Sequence, residues 1–234
     1  MDNLFLQYMK DRSGQRKSSD VKKKEGGPAI TISREYGCHG QRIGQLLAER
    51  ISEELKKQGV KKEWRMISKE ILERSASELK LTPALLEDLS DYKQKSFFEN
   101  LALFFSQEYY PGDVKIKNTI AKFLHDEAEE GNVVIIGRAG EAITKSIKRS
   151  FHVKMEAPLN WRAEVVSKEE NLSLSDAKKR CIDQDKRRAS FRNYFEKDRP
   201  DVDFFDIRIN AMSMTDEEIV NLLFCFARSR GFIE

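Results

Sequence analysis

A short, uninterrupted run of apolar residues constrains the fold of this chain more than any other feature. The run is Val133–Ile136, four branched aliphatic residues in succession, as expected of a parallel strand that is buried on both faces. Short segments that alternate with helical patterns predict an α/β fold built on a parallel sheet. The four other strand-like segments are Ala29–Ser33, Arg65–Ile67, Phe151–Ala157 and Phe205–Asn210.

The segments between these strands have the apolar spacing of amphipathic helices. Two of them have clear start signals: Thr82 precedes Pro83, which suits a first helical position, and Thr215 precedes three acidic residues. Because ligands of parallel sheets bind beyond the carboxyl ends of the strands, we look for functional residues there. The predicted helices span about residues 40–58, 69–79, 83–107, 115–130, 159–170, 175–197 and 215–230.

Composition indicates a cytoplasmic protein with no membrane partner and no metal-binding motif. The three cysteines are far apart, and neither they nor the three histidines have the spacing of metal ligands. No apolar run approaches the roughly 20 residues that cross a bilayer. The net charge of +3 arises within residues 1–27, which predicts a disordered basic tail. The neutral remainder argues against nucleic acid as the main partner.

The first candidate site follows the first strand. Gly37 and Gly40 lie in a turn between this strand and a helix, a geometry that directs backbone N–H groups at phosphate. The lysine of the usual G-x-x-x-x-G-K-[ST] pattern is missing, and Arg34 and Arg42 are the nearby positive charges. These residues alone leave two alternatives open, a phosphate-binding loop and an ordinary strand-to-helix turn.

A second candidate site follows the buried third strand. Arg138 comes after Gly137 at the end of this strand. There a guanidinium faces the crevice and suits an anionic substrate. Glu141 follows one turn later and is placed to orient Arg138 by an ion pair. The alternative is a solvated arginine at a helix start.

A third candidate site lies in the charged helix at residues 176–199. Asp185, Arg188 and Arg192 have i, i+3, i+7 spacing and therefore share one helix face. Two arginines beside one aspartate are a suitable cationic arm for the charge that develops in phosphoryl transfer. The alternative is a charged face that is merely solvated.

Five motifs, taken in order, resemble the cytidylate kinase-like family of P-loop nucleoside monophosphate kinases. The family's I-S-R-x-Y-G-S-G-G-R-x-I-G is similar to residues 32–44, and its G-R-C-A-D is similar to residues 137–141. Its alanine-proline-leucine segment, its D-x-x-R-A-x-[YF] lid and its Y-D-[LI]-x-I-N strand also have counterparts. These counterparts are Ala157–Arg162, Asp185–Phe191 and Phe205–Asn210.

The resemblance implies a three-layer P-loop kinase fold with a five-stranded parallel sheet in a domain of residues 28–234. It also implies a helical monophosphate-binding region at about residues 65–130 and a helical lid at about residues 175–200. The implied activity is phosphoryl transfer from ATP to a nucleoside monophosphate, CMP or dCMP, with Mg²⁺ bridging the donor phosphates. The partner is thus a small-molecule nucleotide, and the oligomeric state stays open.

The resemblance further implies roles for individual residues. Asp185 would orient the lid, and no residue is assigned as a direct metal ligand. Donor phosphates would be held by Arg34, Gly37, Cys38, His39, Gly40, Gln41 and Arg42, the acceptor phosphate by Arg138 with Glu141, and the moving phosphoryl group by Arg162, Arg188 and Arg192.

The chain departs from the family pattern at several of these positions. In the loop, Cys38 and His39 replace a serine and a glycine, and Gln41 replaces an arginine. Glu141 is one methylene longer than the family's aspartate, and Ser68 stands where an aspartate is usual. A side chain at position 39 restricts a turn that approaches phosphate closely. Two alternatives to a nucleotide kinase therefore remain: a catalytically weak or inactive nucleotide-binding relative, and a kinase of another small phosphorylated acceptor.

Overall fold

The computed structural model describes residues 26–68, 114–196 and 199–233. The chain divides into two compact units, one of Gly26–Lys69 with Ile120–Glu234 and one of Met1–Glu25 with Glu70–Thr119. The described residues belong almost entirely to the first unit. The predicted tail (but for its last two residues), the helices predicted at 69–79 and 83–107, and most of the expected monophosphate-binding region lie outside the described residues.

Five parallel strands form a single sheet, as the sequence predicts. β1 pairs with β3 on one side and with β4 on the other, while β2 and β5 flank them in the order β2-β3-β1-β4-β5. Because all the strands are parallel, their carboxyl ends lie along one edge of the sheet. The strands are β1 (Ala29–Arg34), β2 (Arg65–Ile67), β3 (Val133–Ile136), β4 (Ser150–Glu156) and β5 (Ile207–Asn210).

Five of the described helices follow the predicted bounds within about one residue. The last of them, α6, begins with the signal seen in the sequence. Thr215 Oγ1 accepts a hydrogen bond from Glu218 N, and the Glu218 carboxylate accepts one from Thr215 N, which is a capping box. The four-residue helix α3 was not predicted because it is too short to show a period. The helices are α1 (Gly40–Lys57), α2 (Val114–Glu130), α3 (Gly140–Ile143), α4 (Leu159–Glu170), α5 (Leu174–Glu196) and α6 (Asp216–Ser229).

Helices cover both faces of the sheet, which makes a three-layer α/β fold. On one face, Ile30, Ile32 and Ile136 pack in one buried cluster with the apolar sides of α1 and α6. On the opposite face, α3 begins with Gly140, where an added Cβ would lie 3.3 Å from the Thr31 side chain. None of the helices in the described part of the chain is both long and apolar enough to cross a membrane.

Candidate active site at the carboxyl edge of the sheet

The β1–α1 loop, residues 35–39, contains two left-handed residues. Gly37 has φ +88°, and a Cβ there would lie 3.0 Å from the Arg162 carbonyl oxygen, so the loop packs closely against α4. His39 has φ 42° and is the N-cap of α1, but its side chain forms no capping hydrogen bond. The first turn of α1 contains no acidic residue. The loop therefore leads into a helix N-terminus whose N–H groups and dipole suit an anion.

The His39 side chain lies between α4 and α6. Its Nε2 is 3.1 Å from Glu169 Oε1, and its Nδ1 is 3.5 Å from Asp216 Oδ1. Arg42 Nε is 3.1 Å from the other Asp216 oxygen, and the Arg42 side chain is 70% exposed. The bulk that the sequence introduces at position 39 is thus directed at two carboxylates, and Arg42 lies beside α6.

Cys38 contributes its backbone to the loop rather than a reactive thiolate. The side chain is buried in the core cluster, and burial raises the pKa of the thiol to about 12. The side chain of Gln41, in the first turn of α1, is exposed.

The Arg34 side chain connects the loop with the end of β3. A Cβ added to Gly40 would lie 2.9 Å from Arg34 Cγ, and one added to Gly137 would overlap Arg34 Nη1. The two glycines therefore make room for this arginine. The structure brings the first and second candidate sites together through Arg34, since Gly137 directly precedes Arg138.

Arg162 is the most enclosed of the predicted site arginines, with a side chain that is 7% exposed. Its Nη1 donates to Asp185 Oδ2 at 2.7 Å and to the Tyr36 carbonyl oxygen at 3.1 Å. Its Nε donates to the Ala157 carbonyl oxygen at 2.9 Å and lies 3.3 Å from Glu35 Oε2. Arg162 thus joins the β1–α1 loop, the end of β4 and helix α5.

Two carboxylates, Asp185 and Glu35, also take part in this contact between the loop, the end of β4 and α5. Asp185 Oδ1 accepts a hydrogen bond from Tyr36 N at 2.8 Å, and Glu35 Oε2 accepts one from Ala157 N at 3.0 Å. Each carboxylate therefore binds Arg162 and one backbone N–H. Glu35 and Tyr36 were not predicted as site residues, although both lie inside the loop motif and Glu35 is an acid at a strand end.

Arg188 lies on α5 one turn beyond Asp185 and faces the same loop. Its Nη1 donates to the Arg34 carbonyl oxygen at 3.2 Å and lies 4.0 Å from Asp185 Oδ1. Its guanidinium carbon is 5.1 Å from the centroid of the Tyr36 ring. The side chain is 31% exposed, so Arg188 is much more accessible than Arg162. The predicted shared face of Asp185 and Arg188 is thus turned to the loop.

A second cluster lies one helical turn further along α5. Arg192 Nε donates to Glu196 Oε2 at 2.9 Å, and its Nη2 is 3.4 Å from Asp201 Oδ1. Arg192 therefore pairs with acids at the end of α5 and beyond it. Arg188, on the same face of α5, instead contacts the β1–α1 loop.

Arg138 and Glu141 approach this second cluster from the sheet. The guanidinium carbon of Arg138 is 5.2 Å from the ring centroid of Phe191 on α5. Glu141 is 1% exposed, and this burial raises the pKa of its carboxyl to about 7, with a further increase from the negative charge of Glu196. The structure thus brings Arg138 and Glu141 to the second half of α5.

One group of metal-ligating side chains occurs among the residues that the structure describes. His125, Asp126 and Glu129 on α2 have ligand atoms within 4.8 Å of one another. The sequence spacing did not indicate this group. Glu129 is exposed and none of the three is buried, and acids on helix surfaces often lie together without a metal. We therefore assign no metal site to it.

Comparison with known proteins points to the family that the motifs resemble. The Cytidylate kinase-like family matches this chain over residues 29–213. A cytidylate kinase from Methanocaldococcus jannaschii is 29% identical over 99 residues, which are 41% of this chain and 56% of that protein. A uronate isomerase from Corynebacterium glutamicum is 33% identical over 99 residues, which are 42% of this chain but 19% of that protein.

One solved structure has the same fold. It is an uncharacterized protein from Eubacterium ventriosum, with a TM-score of 0.60 and 18% sequence identity, and the match covers 86% of this chain and 98% of that one. The chain spans about half the length of the M. jannaschii cytidylate kinase. The family match, in contrast, covers most of the chain, from the start of β1 to three residues before α6. The chain belongs to the cytidylate kinase-like family.

Proposed function

We propose that this protein transfers a phosphoryl group from ATP to a nucleoside monophosphate, CMP or dCMP. The observation that carries the proposal is the position of Arg188. It lies over the β1–α1 loop, with its Nη1 3.2 Å from the Arg34 carbonyl oxygen. The N-terminus of α1, which suits anions, and Arg188 on the proposed lid helix therefore lie close together. Phosphoryl transfer needs such positioning and positive charge more than covalent help from the protein.

The loop fits the phosphates of a nucleotide donor. Gly37 allows close backbone approach, and no side chain caps the N-terminus of α1. The N–H groups at residues 37–42 would therefore hold the donor phosphates, with Arg34 and Arg188 supplying the positive charge of the missing lysine. Mg²⁺, when bound with ATP, would supply further positive charge to the donor phosphates. The Cys38 thiol, buried and protonated, takes no part.

Arg138, Glu141 and Arg192 would serve the acceptor. Arg138 would bind the phosphate of the nucleoside monophosphate, held in place by the Phe191 ring 5.2 Å away. Arg192 would face the moving phosphoryl group one helical turn from Arg188. The contacts of Arg162 support a role that differs from those of Arg188 and Arg192. Its donors go to two backbone carbonyls and to Asp185, so it would keep the loop and the lid helix together.

The test is an ADP-release assay with ATP, Mg²⁺ and a panel of nucleoside monophosphates and other small phosphorylated acceptors. We expect turnover that depends on one acceptor and that falls about 100-fold or more in Arg188→Ala, as for other groups that stabilise transition-state charge. Arg187→Ala is the matched control, because Arg187 is the adjacent, exposed arginine on the same helix. Equal losses in both variants would contradict the assigned role of Arg188.

One observation favours a second candidate, a nucleotide-binding relative without efficient transfer. The Arg162 guanidinium, expected from the resemblance to meet the phosphoryl group, is enclosed by protein partners. Thermal unfolding of the assay samples distinguishes the candidates, because a binder without transfer would be stabilised by ATP and release no ADP. Acceptor-dependent ADP release would exclude this second candidate.

A further inference from the structure

Tyr36 connects the β1–α1 loop to both α4 and α5. Its backbone N–H donates to Asp185 on α5, and its hydroxyl donates to the Glu170 carboxylate on α4. Its ring faces two guanidinium groups, at 5.1 Å for Arg188 and 5.9 Å for Arg180. A single loop side chain therefore contacts the arginine that carries the proposed function.

The hydroxyl end of Tyr36 is anchored at the end of α4. Burial and the neighbouring Glu170 carboxylate raise the pKa of the phenol, so that it remains a proton donor. Arg180 also pairs with the Glu170 carboxylate. With its backbone held by Asp185 and its hydroxyl by Glu170, the ring has a fixed orientation.

The aromatic ring of Tyr36 contacts the Arg188 guanidinium differently from the way a carboxylate would. A guanidinium has its N–H donors in its own plane, and a carboxylate or carbonyl partner uses them, as the partners of Arg162 do. An aromatic face attracts the cation by its quadrupole and does not use these donors. The contact of Tyr36 with Arg188 therefore orients the cation without using a further N–H donor, beside the hydrogen bond from Arg188 Nη1 to the Arg34 carbonyl oxygen.

We propose that Tyr36 is a positioning residue that holds Arg188 over the β1–α1 loop for phosphoryl transfer. This inference rests on the proposed function. The ring aligns Arg188 before the nucleotide arrives, which removes part of the entropy cost of ordering a long side chain in the transition state. The benefit arises where charge develops, so it raises kcat more than it lowers KM.

The test compares two substitutions at position 36 by steady-state kinetics. Tyr36→Leu removes the ring, and we expect kcat to fall roughly tenfold with KM for ATP and acceptor changed less than about twofold. Tyr36→Phe keeps the ring and loses the hydroxyl, and we expect kcat to stay within about threefold of the wild-type value. Arg187→Ala is the control, because Arg187 is exposed on the same helix, and we expect its kcat to match the wild-type value.

Tyr36→Leu combined with Arg188→Ala identifies the route of the effect. If Tyr36 acts through Arg188, the double variant has the same kcat as Arg188→Ala alone. Multiplied losses in the double variant, a loss confined to KM, or a Phe variant as damaged as the Leu variant would each overturn the inference.

The failure of this inference is distinguishable from the failure of the proposed function. Wild-type protein without turnover on any acceptor counts against the proposed function, whereas additive losses in an active protein count only against the role of Tyr36. If the wild-type protein shows no turnover, urea unfolding decides whether the ring holds Arg188. The four proteins compared are the wild type, Tyr36→Leu, Arg188→Ala and the double variant. Coupled changes in the unfolding midpoint support the contact, and additive changes overturn it.

Discussion

Replacing Asp185 with asparagine weakens the joint between the β1–α1 loop and α5. Asp185 Oδ2 accepts from Arg162 at 2.7 Å, and Oδ1 accepts from Tyr36 N at 2.8 Å. Asparagine retains one carbonyl oxygen and places an NH₂ group where the second oxygen was. One of the two hydrogen bonds is therefore lost, and the enclosed Arg162 guanidinium loses a negative partner.

The structure sets the size of this effect. Hydrogen bonds to charged groups contribute about 1.5–3 kcal/mol, and removing one partner of a fully buried ion pair costs about 3–5 kcal/mol. Arg162 keeps Glu35 and two carbonyl partners, and the Asp185 side chain is 26% exposed. The cost is therefore in the lower range, about 2 kcal/mol of unfolding free energy, which lowers Tm by about 4–8 °C in a chain of this size.

Thermal and urea unfolding of Asp185→Asn measure this change. Asp183→Asn is the matched control, because Asp183 is exposed on the same helix, two residues away, and we expect its Tm to change by less than about 2 °C. Equal Tm values for the two variants would refute the idea that Asp185 joins the loop to α5.

Two further predictions concern the loop and the buried carboxyl. Gly37→Ala is expected to lower stability by about 1–3 kcal/mol and to reduce ATP binding, because position 37 is left-handed and faces a backbone oxygen 3.0 Å away. Gly59→Ala, left-handed but facing open space, is the control, and an equal loss there in calorimetry would count against the close packing. Burial raises the pKa of the Glu141 carboxyl to about 7, from 4.5 for an ordinary glutamate. The folded state therefore holds the proton more tightly, and the stability that this proton contributes is lost as pH rises from about 4.5 to 7. Glu141→Gln should therefore gain about 3 kcal/mol relative to wild type between pH 4.5 and pH 8 in urea unfolding, and a constant difference across this range would refute the raised pKa.

The comparison in that pH experiment is made between variant and wild type because a second buried group titrates in the opposite sense. Burial lowers the pKa of His152 to about 4, and the ring is hydrogen-bonded to Thr31 Oγ1 at 2.9 Å. A depressed pKa gives stability that is present above about pH 6.5 and is lost as pH falls toward 4. The two contributions offset each other in the wild-type protein, and the difference between variant and wild type removes the contribution of His152.

The sequence by itself determined the strands and most of the described helices. Val133–Ile136 was predicted with its observed bounds, since a strand buried on both faces must be apolar throughout. The predicted start of β5 at Phe205 was two residues early, because Phe205 and Asp206 precede the strand at Ile207. An apolar residue beside a strand has the same local pattern as one within it.

The sequence also determined which residues of α5 share a face, because helical spacing is a local property. Asp185 and Arg188 were predicted together, and both contact the β1–α1 loop. Local spacing does not reveal which partner that face meets. It therefore did not separate Arg188, at the loop, from Arg192, which pairs with Glu196 and Asp201.

Only the tertiary structure decided how the site is joined. Glu35 and Ala157 are 122 positions apart, and Arg34 and Arg188 are 154 apart. They meet because β4 lies beside β1 in the sheet, which brings the residues after both strands to one edge. The same strand order directs His39 to α4 and α6 and turns the Tyr36 ring to Arg188. Side-chain direction at a sheet edge depends on which elements lie beside it, and that is a property of the packed chain.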